Sequence, residues 1–299
     1  MRDTKQTAKK GLSTWRYRLF YALWYVVNAL TVIFTLGLLW GLAWEHSVRH
    51  YLQGFADAIV DPSVSPEQKV EALLAWMRSP RVPEGSPYQG FLENRDPVHT
   101  LNSRRLLAIC GSAVNAFVNL AMSAGLECRR LLLLNEKDEA KHVVAEVRLN
   151  GRWVVVDPAL RALLRDRQGR LLTKEELRDP RILQEVTRTM VGYDPRWTYE
   201  RTAHVRMERI PYLGRFLRRV LNRVFPKWEE RTANWTLILE RASTLWIVFA
   251  MALLCFSLVA RTALRWYGER RLGITCVRLR KRLLRACQAL LEIPATTDH

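Results

Sequence analysis

Two long uncharged runs constrain this chain more than any other feature. Leu19 to Trp44 holds 26 residues and Ala242 to Ala260 holds 19, without an Asp, Glu, Lys or Arg in either. As an α-helix the first run is about 39 Å long, enough to cross a hydrocarbon core of about 30 Å with some tilt, and the second is close to the minimum. Trp15, Trp24, Trp40, Trp44, Trp246, Trp266 and Tyr267 gather toward the ends, as interfacial anchors do. Neither run has the polar stripe of a helix packed on a soluble core. The first is also too long for a signal peptide, and its small-x-small site, Gly41-Leu42-Ala43, lies too far in for cleavage. The expected order is a basic tail (1–18), a membrane helix (19–44), a segment of 197 residues (45–241), a second membrane helix (242–260) and a second basic tail (261–299).

Charge gives the expected orientation. Six Lys and Arg fall in the first 18 residues and nine between Arg261 and Arg285, whereas Glu45 to Pro66 holds Arg49 alone. The positive-inside rule then puts both termini in the cytoplasm and the middle segment outside, in the periplasm for a bacterial inner-membrane protein. The net charge of +18 divides as +5 on the amino tail, +7 on the outer segment and +6 on the carboxyl tail. No nucleic-acid-binding motif accompanies it, so membrane lipids, and not nucleic acid, are the expected polyanionic partners. Two basic amphipathic stretches, Arg215 to Phe225 and Arg278 to Leu291, fit this view. The first groups Phe216, Leu217, Val220, Leu221, Val224 and Phe225 among Arg215, Arg218, Arg219 and Arg223. It either lies on the membrane surface or packs on the domain.

The outer segment has room for one compact domain, with its core expected over about residues 67–210. Glu67 to Met77 reads as a helix between Pro/Ser-rich breaks. Asp166 to Arg170 reads as a hairpin turn, and Thr173 with Glu176 as a capping box. Ser112 to Ala124 lacks Gly and Pro, repeats Val114, Phe117, Val118 and Ala121 at helical spacing, and stops at Gly125. Cys110 thus sits at the amino end of a helix, where unpaired N–H groups and the helix dipole favour a thiolate.

Asn150-Gly151 is a two-residue hairpin signal. With those residues as the turn, Leu149 faces Arg152, Ala145 faces Val156 and Val144 faces Asp157. One face then carries Val143, Ala145, Val147, Leu149, Val154 and Val156, an apolar surface fit for a core. The other carries His142, Val144, Glu146, Arg148, Trp153, Val155 and Asp157. His142 and Asp157 become diagonal neighbours with Cβ atoms about 7–8 Å apart. Taken singly, Cys110 reads as a packed small hydrophobe, His142 as a strand-end residue and Asp157 before Pro158 as a turn residue. Taken together, in this order and register, they have the residue types of a nucleophile, its base and the group that orients the base.

Cys110-Gly111 at a helix start, Gly125-Leu126-Glu127-Cys128-Arg129, His142 to Val147, and Gly151 to Pro158 together resemble the bacterial transglutaminase-like superfamily over roughly residues 104–160. The resemblance implies an α+β, papain-related core in which a nucleophile helix packs on an antiparallel sheet that presents His142 and Asp157. That superfamily includes protein crosslinkers, peptidases, amidases and inactive relatives. One departure stands out: many relatives carry an aromatic residue two places after the His, where this chain has Val144. Glu146 matches a Glu of relatives and reads either as site support or as a solvated strand carboxylate. Trp153 reads either as a substrate wall or as a sheet-packing residue.

The expected function is a cysteine acyltransferase or amidohydrolase that forms a thioester on Cys110 with an envelope protein, peptide or polymer. Two other readings stand beside it: an inactive docking module of an envelope assembly, and a tethered cysteine peptidase. The Cys110 N–H is the expected oxyanion donor, while Gln89, Asn94 and Asn102 are side-chain candidates among which nothing selects. No cofactor is expected, since no phosphate-binding Gly loop is present. No metal is expected either, because His46, His50, His99 and His204 lack ligand spacing. Cys128 reads as a core residue, and an oxidising compartment would permit a Cys110–Cys128 disulfide that silences the site.

Overall fold

The computed structural model describes residues 2–79, 84, 96–205, 214–226, 228–234 and 240–274. Gln89, Asn94 and the stretch from Arg278 to Leu291 lie outside the described residues. In chain order the elements are helices α1 (Arg2–Ile59), α2 (Pro66–Arg78), α3 (Pro97–Leu101), α4 (Arg104–Leu107) and α5 (Cys110–Ser123). Strands β1 (Cys128–Leu134), β2 (Ala140–Leu149), β3 (Arg152–Asp157) and β4 (Ala162–Leu163) follow, then helix α6 (Pro180–Thr187) and strand β5 (Thr202–Ala203). Helices α7 (Gly214–Val224), α8 (Trp228–Thr232) and α9 (Ala242–Arg271) complete the order. The chain divides into two units, residues 1–41 with 246–299, and residues 42–245.

Among the described residues the first unit is built on a pair of helices, the parts of α1 and α9 that it contains. Both α1 and α9 are long and apolar enough to cross a membrane. A Cβ on Gly41 would lie 2.7 Å from a Trp246 ring carbon, and the Trp246 indole N–H donates to the Gly37 carbonyl at 2.9 Å. Small residues of this kind let helix backbones approach in an apolar medium. Leu23, Ile33, Leu36, Phe249, Phe256 and Val259 point outward and are exposed. The outside of the pair is thus clothed in the side chains that a water-soluble bundle keeps within.

The second unit is built on an antiparallel sheet in the order β4-β3-β2-β1-β5. With its helices it is an α+β fold. The β2–β3 hairpin turns on Asn150 (φ 51°) and Gly151 (φ 78°), both left-handed, as a type I′ turn requires. It pairs Leu149 with Arg152 and Ala145 with Val156, the register expected from the turn residues. Val143, Ala145, Val147, Leu149, Val154 and Val156 form one face and pack with Val114, Phe117 and Leu120 of α5 and Leu73 and Leu74 of α2. Helix α2 starts on a capping box, with Ser65 Oγ accepting the Gln68 N–H and Gln68 Oε1 accepting the Ser65 N–H. Before it, α1 sends Val48, Leu52 and Ala56 into the same core at four-residue spacing, so the core takes in residues before 67.

The other sheet face is buried too. Val144 and Val155 lie in a second core with Leu131, Leu133, Leu164, Leu172, Leu177 and Tyr199. Chain from residues 164 to 199 folds over the half of the hairpin that carries the polar residues. A buried network then fixes α5 on its far side. Arg241 donates to Asn119 of α5 and, at 2.8 Å, to Glu45 of α1, whose other oxygen accepts the Ser243 hydroxyl at 2.7 Å.

Candidate active site

Helix α5 begins at Cys110 without a side-chain cap on Ile109, and its first internal bond runs from Ala113 N–H to Ile109 C=O at 2.8 Å. The N–H groups ahead of that bond are not consumed by the helix. One of them, on Gly111, points at the Cys110 sulfur, and the Val143 N–H of β2 does the same. The thiol is free and half-buried. Burial by itself pushes its pKa up. The hydrogen bond and charge of His142, with the two N–H groups, outweigh that, and the net displacement is downward. A Cβ built on Gly111 would meet nothing within 4 Å, so the space beside the nucleophile is open.

His142 is 2 % exposed and its Nε2 lies 2.7 Å from Asp157 Oδ2. With Nε2 engaged there, the nitrogen left for Cys110 is Nδ1. Burial opposes the imidazolium, but the hydrogen bonds and charges of Asp157 and Cys110 raise its pKa to about 9. Asp157 is 1 % exposed, and its second oxygen accepts the Ala159 and Leu160 N–H groups at 3.0 Å each. Pro158 ends β3, and the loop that follows wraps the carboxylate. That loop is tied to α2 by Arg78, which donates to the Arg161 carbonyl at 2.7 Å, and by Arg161, which donates to the Met77 carbonyl at 3.2 Å. The contacts thus run from Cys110 to His142 to Asp157, and the last two are the pair that the hairpin register predicts as neighbours.

Residues 53–158 match the family model of the transglutaminase-like superfamily. The domain belongs to the transglutaminase-like superfamily. The match starts within α1 and ends one residue after Asp157, so all three residues fall inside it. Neither a curated protein nor a solved structure matches the chain.

One residue beside His142 has no signal in the sequence. The Trp197 ring is stacked on the His142 imidazole, with ring centroids 3.8 Å apart and 3° between the planes. Tyr193 meets Trp197 edge-on at 5.3 Å and donates its hydroxyl to the Trp197 carbonyl at 2.5 Å. Trp197 stands 55 residues beyond His142 in chain without regular structure, where no periodicity marks it. It supplies an aromatic face for the imidazole that Val144 does not, since Val144 is spent in the second core.

Glu146 and Trp153 are not brought to Cys110, His142 or Asp157 by any contact among the described residues. Glu146 is 0 % exposed, which overturns the solvated reading. It bonds Arg129 Nε at 2.8 Å, with Lys174 Nζ at 3.9 Å and His204 Nε2 at 3.6 Å. Burial raises its pKa against the pull of Arg129 and Lys174. Trp153 carries the Arg129 guanidinium over its ring at 4.0 Å. It is a sheet residue packed under a cation.

Asn102 is exposed and gives its amide hydrogens to the Val98 carbonyl at 2.9 Å and the Tyr51 hydroxyl at 3.2 Å. It closes α3, with its amide nitrogen engaged by those two acceptors. Cys128 is buried, donates its S–H to the Val118 carbonyl, and has its pKa pushed up by that burial. Val118 lies two turns along α5 from Cys110, about 12 Å at 1.5 Å per residue. A disulfide joining Cys110 to Cys128 is therefore out of reach without refolding.

Proposed function

We propose that this chain is a membrane-anchored cysteine acyltransferase or amidohydrolase of transglutaminase-like type, with Cys110 as nucleophile, His142 as general base and acid, and Asp157 orienting the ring. The observation that carries the reading is a thiol with a lowered pKa beside an imidazole whose pKa is raised to about 9. Burial opposes both charged forms; His142 and two backbone N–H groups favour the thiolate, and Asp157 and Cys110 favour the imidazolium. Such a pair favours the thiolate, the nucleophilic form.

The chemistry follows from these groups. His142 holds the Cys110 proton, and the thiolate attacks a carboxamide, peptide or ester carbonyl. The new C–S bond moves charge onto the carbonyl oxygen, which the Cys110 N–H at the amino end of α5 would receive. Collapse breaks the carbonyl bond to the leaving amine or alkoxide, which departs with the proton from His142. A thioester remains. An acceptor amine or water then attacks it, His142 takes the acceptor's proton, and the thiolate is expelled. An amine gives transamidation and water gives hydrolysis.

The two apolar helices and the Lys/Arg bias support placing both termini in the cytoplasm and the domain outside, in the periplasm of a bacterial cell. A tethered enzyme acts on what reaches the membrane surface, here an envelope protein, peptide or polymer.

The test is the pH dependence of Cys110 alkylation in membranes, in full-length chain whose other cysteines are replaced, with and without His142→Ala. The reading expects a midpoint well below that of a free thiol, which moves up when the imidazole is removed. A Cys110 that stays unreactive, or titrates as a free thiol whatever stands at 142, would make the domain a docking module.

A further inference from the structure

Helix α7 is mounted with its polar side toward the domain. Arg218 donates to Glu229 of α8 at 2.9 Å, and the Trp228 indole N–H donates to Asn222 at 2.7 Å. Glu229 also accepts the His204 N–H beside β5, so this side of α7 is tied to the sheet. The opposite side is apolar and open. Phe216 is 61 % exposed, Val220 39 % and Val224 57 %. At 3.6 residues per turn, Phe216, Val220 and Val224 share an arc of about 80°. Arg219 and Arg223 are exposed along the edge of that arc.

A helix that packs on a soluble core does the reverse, burying its apolar stripe and turning its charges to water. The charge pattern selects the occupant. Helix α7 holds four Arg and no acidic residue. Guanidinium groups at the rim of an apolar stripe reach lipid phosphates while the stripe enters the acyl region. The apolar helix α9 starts 17 residues after Phe225. We infer that α7 is an interfacial helix, with Phe216, Val220 and Val224 in the outer-leaflet acyl region and Arg219 and Arg223 at the phosphates of anionic lipid. This rests on the reading that α1 and α9 lie in the bilayer. Its consequence is a domain held down on the membrane surface at a second point.

The experiment uses full-length chain in phosphatidylcholine vesicles, with and without phosphatidylglycerol. An environment-sensitive fluorophore is placed on Val220→Cys in one preparation and on the native Cys255 of α9 in another, with the remaining cysteines replaced. Nitroxides at the headgroup or deep in the acyl chain act as quenchers. The inference expects deep quenching at 255 and shallow quenching at 220. Phosphatidylglycerol should strengthen the signal at 220, and Arg219→Gln with Arg223→Gln should remove that gain, at roughly fivefold per arginine in lipid occupancy. Quenching at 255 without quenching at 220 would overturn the inference and leave the membrane reading standing. Quenching at neither would overturn both. A buried fluorophore at 220 that no lipid nitroxide reaches, and that is freed on diluting the protein, would assign the face to a second copy of the chain and overturn the lipid assignment.

Discussion

His142 and Glu146 lie four residues apart on one face of β2, about 13 Å along the strand, and each sits in a buried charged cluster. At His142 the polar atoms are matched: both Asp157 oxygens accept hydrogen bonds, and the imidazole has Asp157 on one side and Cys110 on the other. At Glu146 they are not, since neither Glu146 Oε1 nor His204 Nε2 makes a hydrogen bond among the described residues. The two imidazoles respond in opposite directions. That of His142 is raised to about 9. That of His204 is lowered to about 4 by burial and by the Arg129 and Lys174 charges, against the pull of its bond to the Arg130 carbonyl and of Glu229. The same strand therefore carries one cluster that stores charge next to a half-open thiol and another that is sealed. Burial alone does not distinguish chemistry from scaffolding. The groups facing the buried residue do.

The largest effect should come from unbalancing the sealed cluster. Glu146→Ala leaves Arg129 buried without its carboxylate and Lys174 with Glu175 alone. Breaking a buried pair in this way costs about 3–5 kcal/mol. Denaturant unfolding of the full chain should show that loss, while the pH midpoint of Cys110 alkylation stays where it is in folded protein. A midpoint that moves with Glu146 would break the comparison and join the two clusters into one site.

His204 should give the next largest effect, through pH. Its pKa falls from an ordinary 6.5 to about 4 on folding. Between those values the unfolded chain binds more protons than the native one, so stability drops as pH falls through the window and levels off below it. The loss is on the order of 3 kcal/mol. Glu146, whose pKa is raised, acts in the opposite sense above its ordinary range, so a single unfolding curve mixes the two. Thermal unfolding of wild type beside His204→Asn separates them. The variant should lack the acid-side loss, and an unchanged acid profile would show that His204 is not held neutral.

At the other cluster, His142→Ala removes the group that counters burial of the Cys110 thiol and leaves only the Val143 and Gly111 N–H groups on the sulfur. Alkylation at neutral pH should slow about a hundredfold, the lower end of what a positioned base contributes. Its midpoint should move up. Asp157→Asn should have a smaller effect in the same direction, because the ring stays beside the thiol and loses the carboxylate that favours its charged form. Equal losses in the two variants would mean that Asp157 holds the ring in place as well as stabilising its charge.

What could be read from sequence was what local chemistry dictates. Asn150-Gly151 dictates a type I′ turn, the turn sets the register, and the register brings His142 to Asp157. Gly125 and the spacing of Val114, Phe117 and Ala121 give α5, and α5 puts Cys110 at a helix start. What sequence reasoning missed depends on distant, irregular chain. The cover of the second sheet face, the burial of Glu146 and the place of Trp197 all come from residues 164–204, which have few regular elements. One signal for the buried face was present. Val144 and Val155 stand among the polar residues of the hairpin, and apolar residues on both faces mark a strand covered on both sides.

Trp197 tests the finest part of the comparison, because it touches the charged imidazole and has no counterpart stacked on His204 among the described residues. Its ring is parallel to His142 at 3.8 Å, an arrangement that favours an imidazolium over a neutral ring by cation–π attraction. That attraction is worth about 0.5–2 kcal/mol. Trp197→Ala should therefore slow Cys110 alkylation at neutral pH by about two- to thirtyfold and shift its midpoint upward, by less than His142→Ala does. Trp197→Phe keeps an aromatic face and should restore most of the rate. Tyr193→Phe deletes only the hydroxyl that holds the Trp197 carbonyl and should cost less still. Unfolding measured on the same samples separates lost packing from lost charge stabilisation, since packing alone would lower stability and leave the midpoint in place. That outcome for Trp197→Ala would make the indole a lid on the core, and the stored charge would then rest on Asp157 and Cys110 alone.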